Sequence, residues 1–167
     1  MTDSENIKAN FPFPLIPRQP GLPDFTIINE VHTKGKANAS SVASELGGGA
    51  HGLLGITLSP ATYLQLTGHN FIRPINPGTI PQNVQGTAAQ MAEMVRQHKE
   101  ELRVYRQVEN TELALKGQLI ETFDDTYFRG LRGRHTGFFG ITYLQMIAHL
   151  YDSYGIITAL DLSLIHI

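Results

Sequence analysis

The clearest pattern in the chain begins at Thr87. Met91, Val95, His98, Leu102, Tyr105 and Val108 recur at alternating spacings of three and four, which puts them on one stripe of a helix. Thr87 with Gln90 three positions later makes a capping box, and neither Gly nor Pro follows before Gly117. The spacing predicts one long helix over about 87–122, the spine of the domain. Its opposite face carries Glu93, Arg96, Lys99, Glu100, Arg103, Arg106 and Glu109, set to pair along the helix surface. The stripe loses phase at Asn110 and resumes at Leu113, Leu119, Ile120 and Phe123, so a bend is expected near Asn110 or Gly117.

Other segments are shorter. Asp124 and Asp125 suit the start of a short helix bearing Tyr127, Phe128 and Leu131. Thr142 and Gln145 form a second capping box for a last helix over about 141–154, which Gly155 ends. Ser59-Pro60 opens a helix that runs to Thr67, with Gly68 beyond it. In Phe25 to Leu46, the positions Ile27, Ile28, Val31, Val42, Ala43 and Leu46 fit two short helices interrupted near Gly35, although Thr26–Ile28 would also serve as a strand. Asn38 or Ser40 would cap the second piece. Pro74, Pro77, Gly78 and Pro81 make His69 to Gly86 a structured loop. The pattern is all-α.

Residues 1–24 carry Pro12, Pro14, Pro17, Pro20 and Pro23 and read as an extended arm rather than a helix, with its tip at Met1–Ala9 disordered. Phe11, Phe13, Leu15 and Ile16 within it are expected to pack back onto the domain or onto a neighbouring subunit, with Phe11 and Phe13 the candidate assembly-arm residues. The domain proper is 25–161. Residues 162–167, Leu-Ser-Leu-Ile-His-Ile, look like the translated end of a sequencing-library transposase adapter, so the natural chain is expected to continue past Asp161.

Composition narrows the function classes. A length of 167 residues suits one domain, and the absence of Cys removes disulfides, thiolate zinc sites and cysteine nucleophiles together. A net charge of -2 supplies no global attraction to phosphate or an anionic membrane. No apolar run approaches the roughly 20 residues that cross a bilayer, and the polar, acidic start is not a secretion signal. A cytoplasmic protein without a membrane partner is expected. Between Leu46 and Ala92 the only charged residue is Arg73, so that stretch must be largely buried or self-packed.

Candidate chemistry is sparse. Gly47, Gly48, Gly49 and Gly52 satisfy G-x-G-x-x-G, whose glycines in a dinucleotide site bring backbone donors against a pyrophosphate. Here they follow a helix, and no Asp or Glu lies close downstream to take a ribose hydroxyl, so a structural glycine turn is expected. The histidines form no ligand pair at helical spacing, and His98 on the stripe reads as a hydrogen-bonded core residue. No G-x-S-x-G elbow supports a triad, and the adjacent Asp124 and Asp125 diverge. No catalytic residue, metal or cofactor is assigned. Arg129, Arg132, Arg134 and His135 form the one basic cluster, and no acid occurs from Thr126 to Tyr151. It is a candidate contact for RNA phosphate or a subunit's acidic face, with Tyr127 and Phe128 available for stacking.

Four blocks in order carry a resemblance: Glu45-Leu-Gly-Gly-Gly-Ala-His-Gly-Leu-Leu-Gly-Ile56, Phe71-Ile-Arg-Pro-Ile-Asn-Pro-Gly78, Gln97-His-Lys-Glu-Glu-Leu-Arg-Val-Tyr105 and His149-Leu-Tyr-Asp-Ser-Tyr-Gly155. From about Asp24 to Thr158 the chain resembles the N-terminal part of Gag-like polyproteins of Copia-type LTR retrotransposons. The resemblance implies a compact multi-helix capsid-like domain that self-associates, as a homo-oligomer, into a particle around element RNA. It also implies that RNA is held mainly by a zinc-knuckle region downstream of this chain. Two other classes compete: a helical adaptor that binds a peptide in a groove, and a nucleotide- or phosphate-binding enzyme using the Gly47–Gly52 loop.

Overall fold

A computed structural model of the chain describes residues 2–80 and 85–155. Five α-helices order them: α1 (Asp3–Ala9), α2 (Phe25–Ser40), α3 (Pro60–Thr67), α4 (Ala88–Thr122) and α5 (Tyr143–Tyr154). Short 3₁₀ turns lie at Leu46–Gly48, Leu54–Thr57 and Asp125–Leu131. Among the described residues the only extended pairing is a bridge between Gly133 and Gly137, so the domain is all-α. The C-terminal tail from residue 156, with the adapter-like 162–167, lies outside the described residues.

Local chemistry sets the helix starts. The Thr87 and Thr142 hydroxyls each accept from the backbone N–H three residues on, while Gln90 and Gln145 reach back to the cap. Ser59 caps α3, with Pro60 at its first position and Gly68 in the left-handed region at its end. Asp124 caps the 3₁₀ turn that follows α4.

The core lies where α2, the C-terminal half of α4 and α5 meet. Ile28 and Val31 of α2, Val108, Leu115 and Leu119 of α4, and Met146, Ile147 and Leu150 of α5 are buried in one cluster with Phe123 and Phe128. Each such side chain contributes about 1.5–3 kcal/mol by leaving water. A smaller cluster joins Leu54, Leu58 and Tyr63 with Phe71.

Three expectations are corrected. The tip of the arm is helical: Thr2 and Glu5 form a capping box for α1, and Lys8 pairs with Glu121 at 2.7 Å. The prolines that exclude a helix begin only at Pro12, and α1 gains stability by lying against α4. Second, α2 is one helix through Gly35, capped by Asp24, with neither Asn38 nor Ser40 at a second start. Gly35 is there because a Cβ would run into the Tyr143 hydroxyl, not because the helix breaks. Third, the stripe over Met91–Tyr105 is not the buried spine; full burial on α4 begins at Val108. Periodicity records a face, not its depth. At about 1.5 Å per residue, α2 with 16 residues and α5 with 12 cannot reach along the 35 residues of α4.

Candidate functional site

The N-terminal arm runs along α4 from its middle to its end. Phe11 and Ile16 are buried in the main core, whereas Phe13 is 40% exposed and Leu15 is 79% exposed. The backbone between them is held by buried amides. Asn38 Oδ1 accepts from the Phe13 N–H at 2.9 Å, and Asn38 Nδ2 donates to Phe13 O at 3.0 Å and to Gln118 Oε1 at 2.9 Å. Gln118 Nε2 donates to Phe13 O at 2.9 Å. Farther along, the Gln19 N–H donates to Thr122 O at 2.9 Å, Arg18 pairs with Asp124 at 3.1 Å, and the Tyr127 hydroxyl donates to Gly21 O at 3.2 Å. Phe11 and Phe13 thus face opposite ways, one as an anchor and one toward solvent beside the Lys34 ammonium.

The glycine turn leaves the end of α2. Gly47, Gly48, Gly49 and Gly52 have φ of 60°, 92°, 79° and 55°, a region that costs other residues. A Cβ at Gly47 would meet the Tyr63 ring, one at Gly48 the His69 ring, and one at Gly52 the carbonyls of Ser40 and Val42. The Tyr63 hydroxyl donates to Gly47 O at 2.7 Å, tying the turn to α3. These contacts account for Gly47, Gly48 and Gly52 as close-packing positions, while Gly49 serves the turn through its positive φ alone. Between this turn and α4 opens a cleft of about 630 Å³ bordered by Ser41, Ser44, Glu45, Glu100, Arg103 and Gln107. Its strongest charges are spent on each other, since Arg103 pairs with Glu100 at 2.7 Å.

The basic cluster occupies the end of the 3₁₀ turn and the loop beyond it, and Arg129, Arg132, Arg134 and His135 are all exposed. Gly133 and Gly137 exchange backbone hydrogen bonds of 2.7 and 3.1 Å, closing a tight turn with Arg134, His135 and Thr136 at its tip. Tyr127 and Phe128 do not stand with these arginines as stacking platforms. Phe128 is fully buried, its ring edge-on to Phe138, and Tyr127 packs edge-on against Tyr154. The aromatic that does reach solvent is Phe139, 86% exposed. Sequence reading passes over it because it sits outside any periodic segment.

A charged clamp was also hidden. Arg73 lies at 2.6 Å from Glu112 and 3.0 Å from Glu109, and the Glu112 side chain is only 7% exposed. These hydrogen bonds hold the Arg73 guanidinium charged, well above its ordinary range. The Lys116 ammonium donates to Phe138 O and Ile141 O, both at 2.8 Å, and burial pulls its pKa down. The signal in the sequence was the isolation of Arg73 in a neutral stretch: a lone charge there needs a partner.

Three of the histidines, His32, His98 and His149, are hydrogen-bonded within the fold through their rings. His98 Nε2 lies 2.7 Å from Gly78 O, and His149 Nε2 lies 3.0 Å from Tyr127 O. His32 sits between α2 and α5, 2.8 Å from Thr57 O and 3.3 Å from the Tyr151 hydroxyl, and burial lowers its pKa. Among the described residues no group of His, Asp and Glu side chains is arranged to hold a metal ion. No helix is long and apolar enough to cross a membrane among them. Comparison with family models, curated proteins and solved structures finds no match to this chain.

Proposed function

We propose that the chain is a structural Gag-like fragment of a Copia-type retrotransposon that works in the cytoplasm by self-association, without catalysis or cofactor, with element RNA held mainly by a downstream region. The ordered sequence blocks motivate the family, and an all-α domain is compatible with it. One observation carries the assembly reading. Ile72 and Ile75 are 75% and 85% exposed, yet they flank Arg73, whose clamp on Glu109 and Glu112 pins their segment to α4. The arm repeats the arrangement: Leu15 and Leu22 face water while Phe11 and Ile16 anchor the backbone in the core. Apolar side chains held outward on fixed segments suit subunit contacts, where symmetry repeats each weak contact many times.

Sedimentation velocity over a concentration series, with electron microscopy of the same samples, tests this. Higher-order species are expected to form in the parent and to be lost in Ile72→Glu with Ile75→Glu at unchanged thermal stability. A monomer at every concentration would overturn self-association by this chain. The reading frame after the Asp161 codon in an unfragmented template tests the family: a Cys-x-x-Cys-x4-His-x4-Cys frame supports it, and an early natural stop opposes it.

A further inference from the structure

The geometry points to a second activity: the Arg129–Phe139 corner contacts single-stranded nucleic acid through this chain's own residues. It does not rest on the assembly reading, since a monomer would bind as well. The arginines are available. Arg18, Arg73, Arg96 and Arg103 each pair with a carboxylate, whereas Arg129, Arg132 and Arg134 are exposed and form no ion pair among the described residues; Arg106 on α4 shares that state, but only the corner gathers three such arginines within six residues. The nearest acids in sequence are Asp124 and Asp125, where the 3₁₀ turn starts, and Asp152 near the end of α5. Asp124 is already engaged by Arg18 and by the Thr126 N–H.

The corner is also fixed before any partner arrives. The Gly133–Gly137 bridge closes the tip, the Phe139 N–H donates to Thr136 O at 3.1 Å, and the Arg132 N–H donates to Arg129 O at 3.2 Å. Lys116 holds the base of the loop through the carbonyls of Phe138 and Ile141. Phe138 packs inward on Phe128, and Phe139, its neighbour, stands in water. A planar guanidinium pairs well with phosphate oxygens, and an exposed aromatic ring offers a face to a base. An acidic protein would satisfy the arginines equally, but the apolar core of a protein interface needs a contiguous patch, and Phe139 is the one large apolar side chain exposed within residues 129–140. Single-stranded nucleic acid uses both, and unstacked bases are available only when the strand is single.

Fluorescence anisotropy of a labelled 20-nucleotide oligouridylate, titrated with the whole chain, tests the proposal. With about three phosphates neutralised, affinity should fall about twentyfold between 50 and 200 mM salt. Arg132→Gln with Arg134→Gln should weaken binding at least about tenfold, and Phe139→Ala about tenfold, with Phe139→Tyr retaining affinity. Polyglutamate at equal charge should not displace the oligonucleotide. Absence of binding at 50 mM salt would overturn the proposal. So would binding that Phe139→Ala leaves unchanged and polyglutamate displaces, which would assign the corner to an acidic protein. Thermal melts of the variants should match the parent, because the altered side chains are exposed; sedimentation of the same samples reports assembly separately.

Discussion

Arg73 and Glu112, far apart in sequence, meet through two hydrogen bonds of 2.9 and 2.6 Å, and the carboxylate is nearly buried. Glu112 Oε2 also accepts from the Tyr143 N–H at 3.3 Å, so this one carboxylate joins the 69–80 segment, α4 and the start of α5. Arg73→Ala would leave the nearly buried carboxylate with only the long Tyr143 N–H hydrogen bond, at a cost of about 2–3 kcal/mol. Replacing both, as Arg73→Met with Glu112→Leu, should cost less than the single change. Urea midpoints of the two variants and the parent decide it, and a single variant no worse than the double would show that the clamp does not act as a pair.

A second pair is steric. The Tyr143 hydroxyl is buried with no hydrogen-bond partner among the described residues and lies where a Cβ on Gly35 would be. Burial raises its pKa far above the usual phenol range. Tyr143→Phe removes the unsatisfied group and should stabilise the fold by about 1 kcal/mol. Gly35→Ala alone should destabilise by about 1–3 kcal/mol through overpacking. In the Tyr143→Phe background the same change should be near neutral, since Ala favours the helix by up to about 1 kcal/mol over Gly. Equal effects of Gly35→Ala in both backgrounds, measured by thermal unfolding, would show that the hydroxyl is not the obstacle.

Cap chemistry made the helix starts legible: the boxes at Thr87 and Thr142, and Ser59-Pro60, lie where their residue types place them. What periodicity could not give was depth and partnership. Val95, Leu102 and Val108 follow one stripe, but only Val108 lies in the core with residues of α2 and α5. Gly35 read as a break because a glycine's packing role depends on a residue far along the chain, here Tyr143. At the candidate corner, charge was visible in sequence, whereas the direction of each aromatic was not: Tyr127, Phe128, Phe138 and Phe139 look alike until the core claims three of them.

The arm should come away in stages. Removing residues 1–9 takes away α1, which has no buried residue, and should lower stability by less than about 1.5 kcal/mol, the amount a single fully buried apolar side chain contributes. Removing residues 1–17 also deletes Phe11 and Ile16 and leaves Asn38 and Gln118 without the Phe13 backbone, a loss of several times that amount. Hydrogen exchange should show the same order, with amides of α1 exchanging before those of α2. Equal losses from the two truncations would mean that α1, not the buried pair, fastens the arm.

Stability should also fall in mild acid because of His32. Its Nε2 faces the Thr57 carbonyl, which can only accept, so in the neutral ring Nε2 carries the proton and Nδ1 is an acceptor 3.3 Å from the Tyr151 hydroxyl, whose one proton Asn29 Oδ1 also faces. Burial lowers the folded pKa, and the Lys36 charge adds to that shift, against an ordinary value of 6.5. The unfolded chain therefore takes up a proton first. The stability that depends on neutral His32 is fully present above pH 6.5 and is lost as the pH falls from there through the lower folded pKa. His32→Gln, which can keep a donor toward Thr57 O without titrating, should flatten the fall in melting temperature between about pH 7 and 5. If the slope persists unchanged in that variant, the proton uptake belongs to another group.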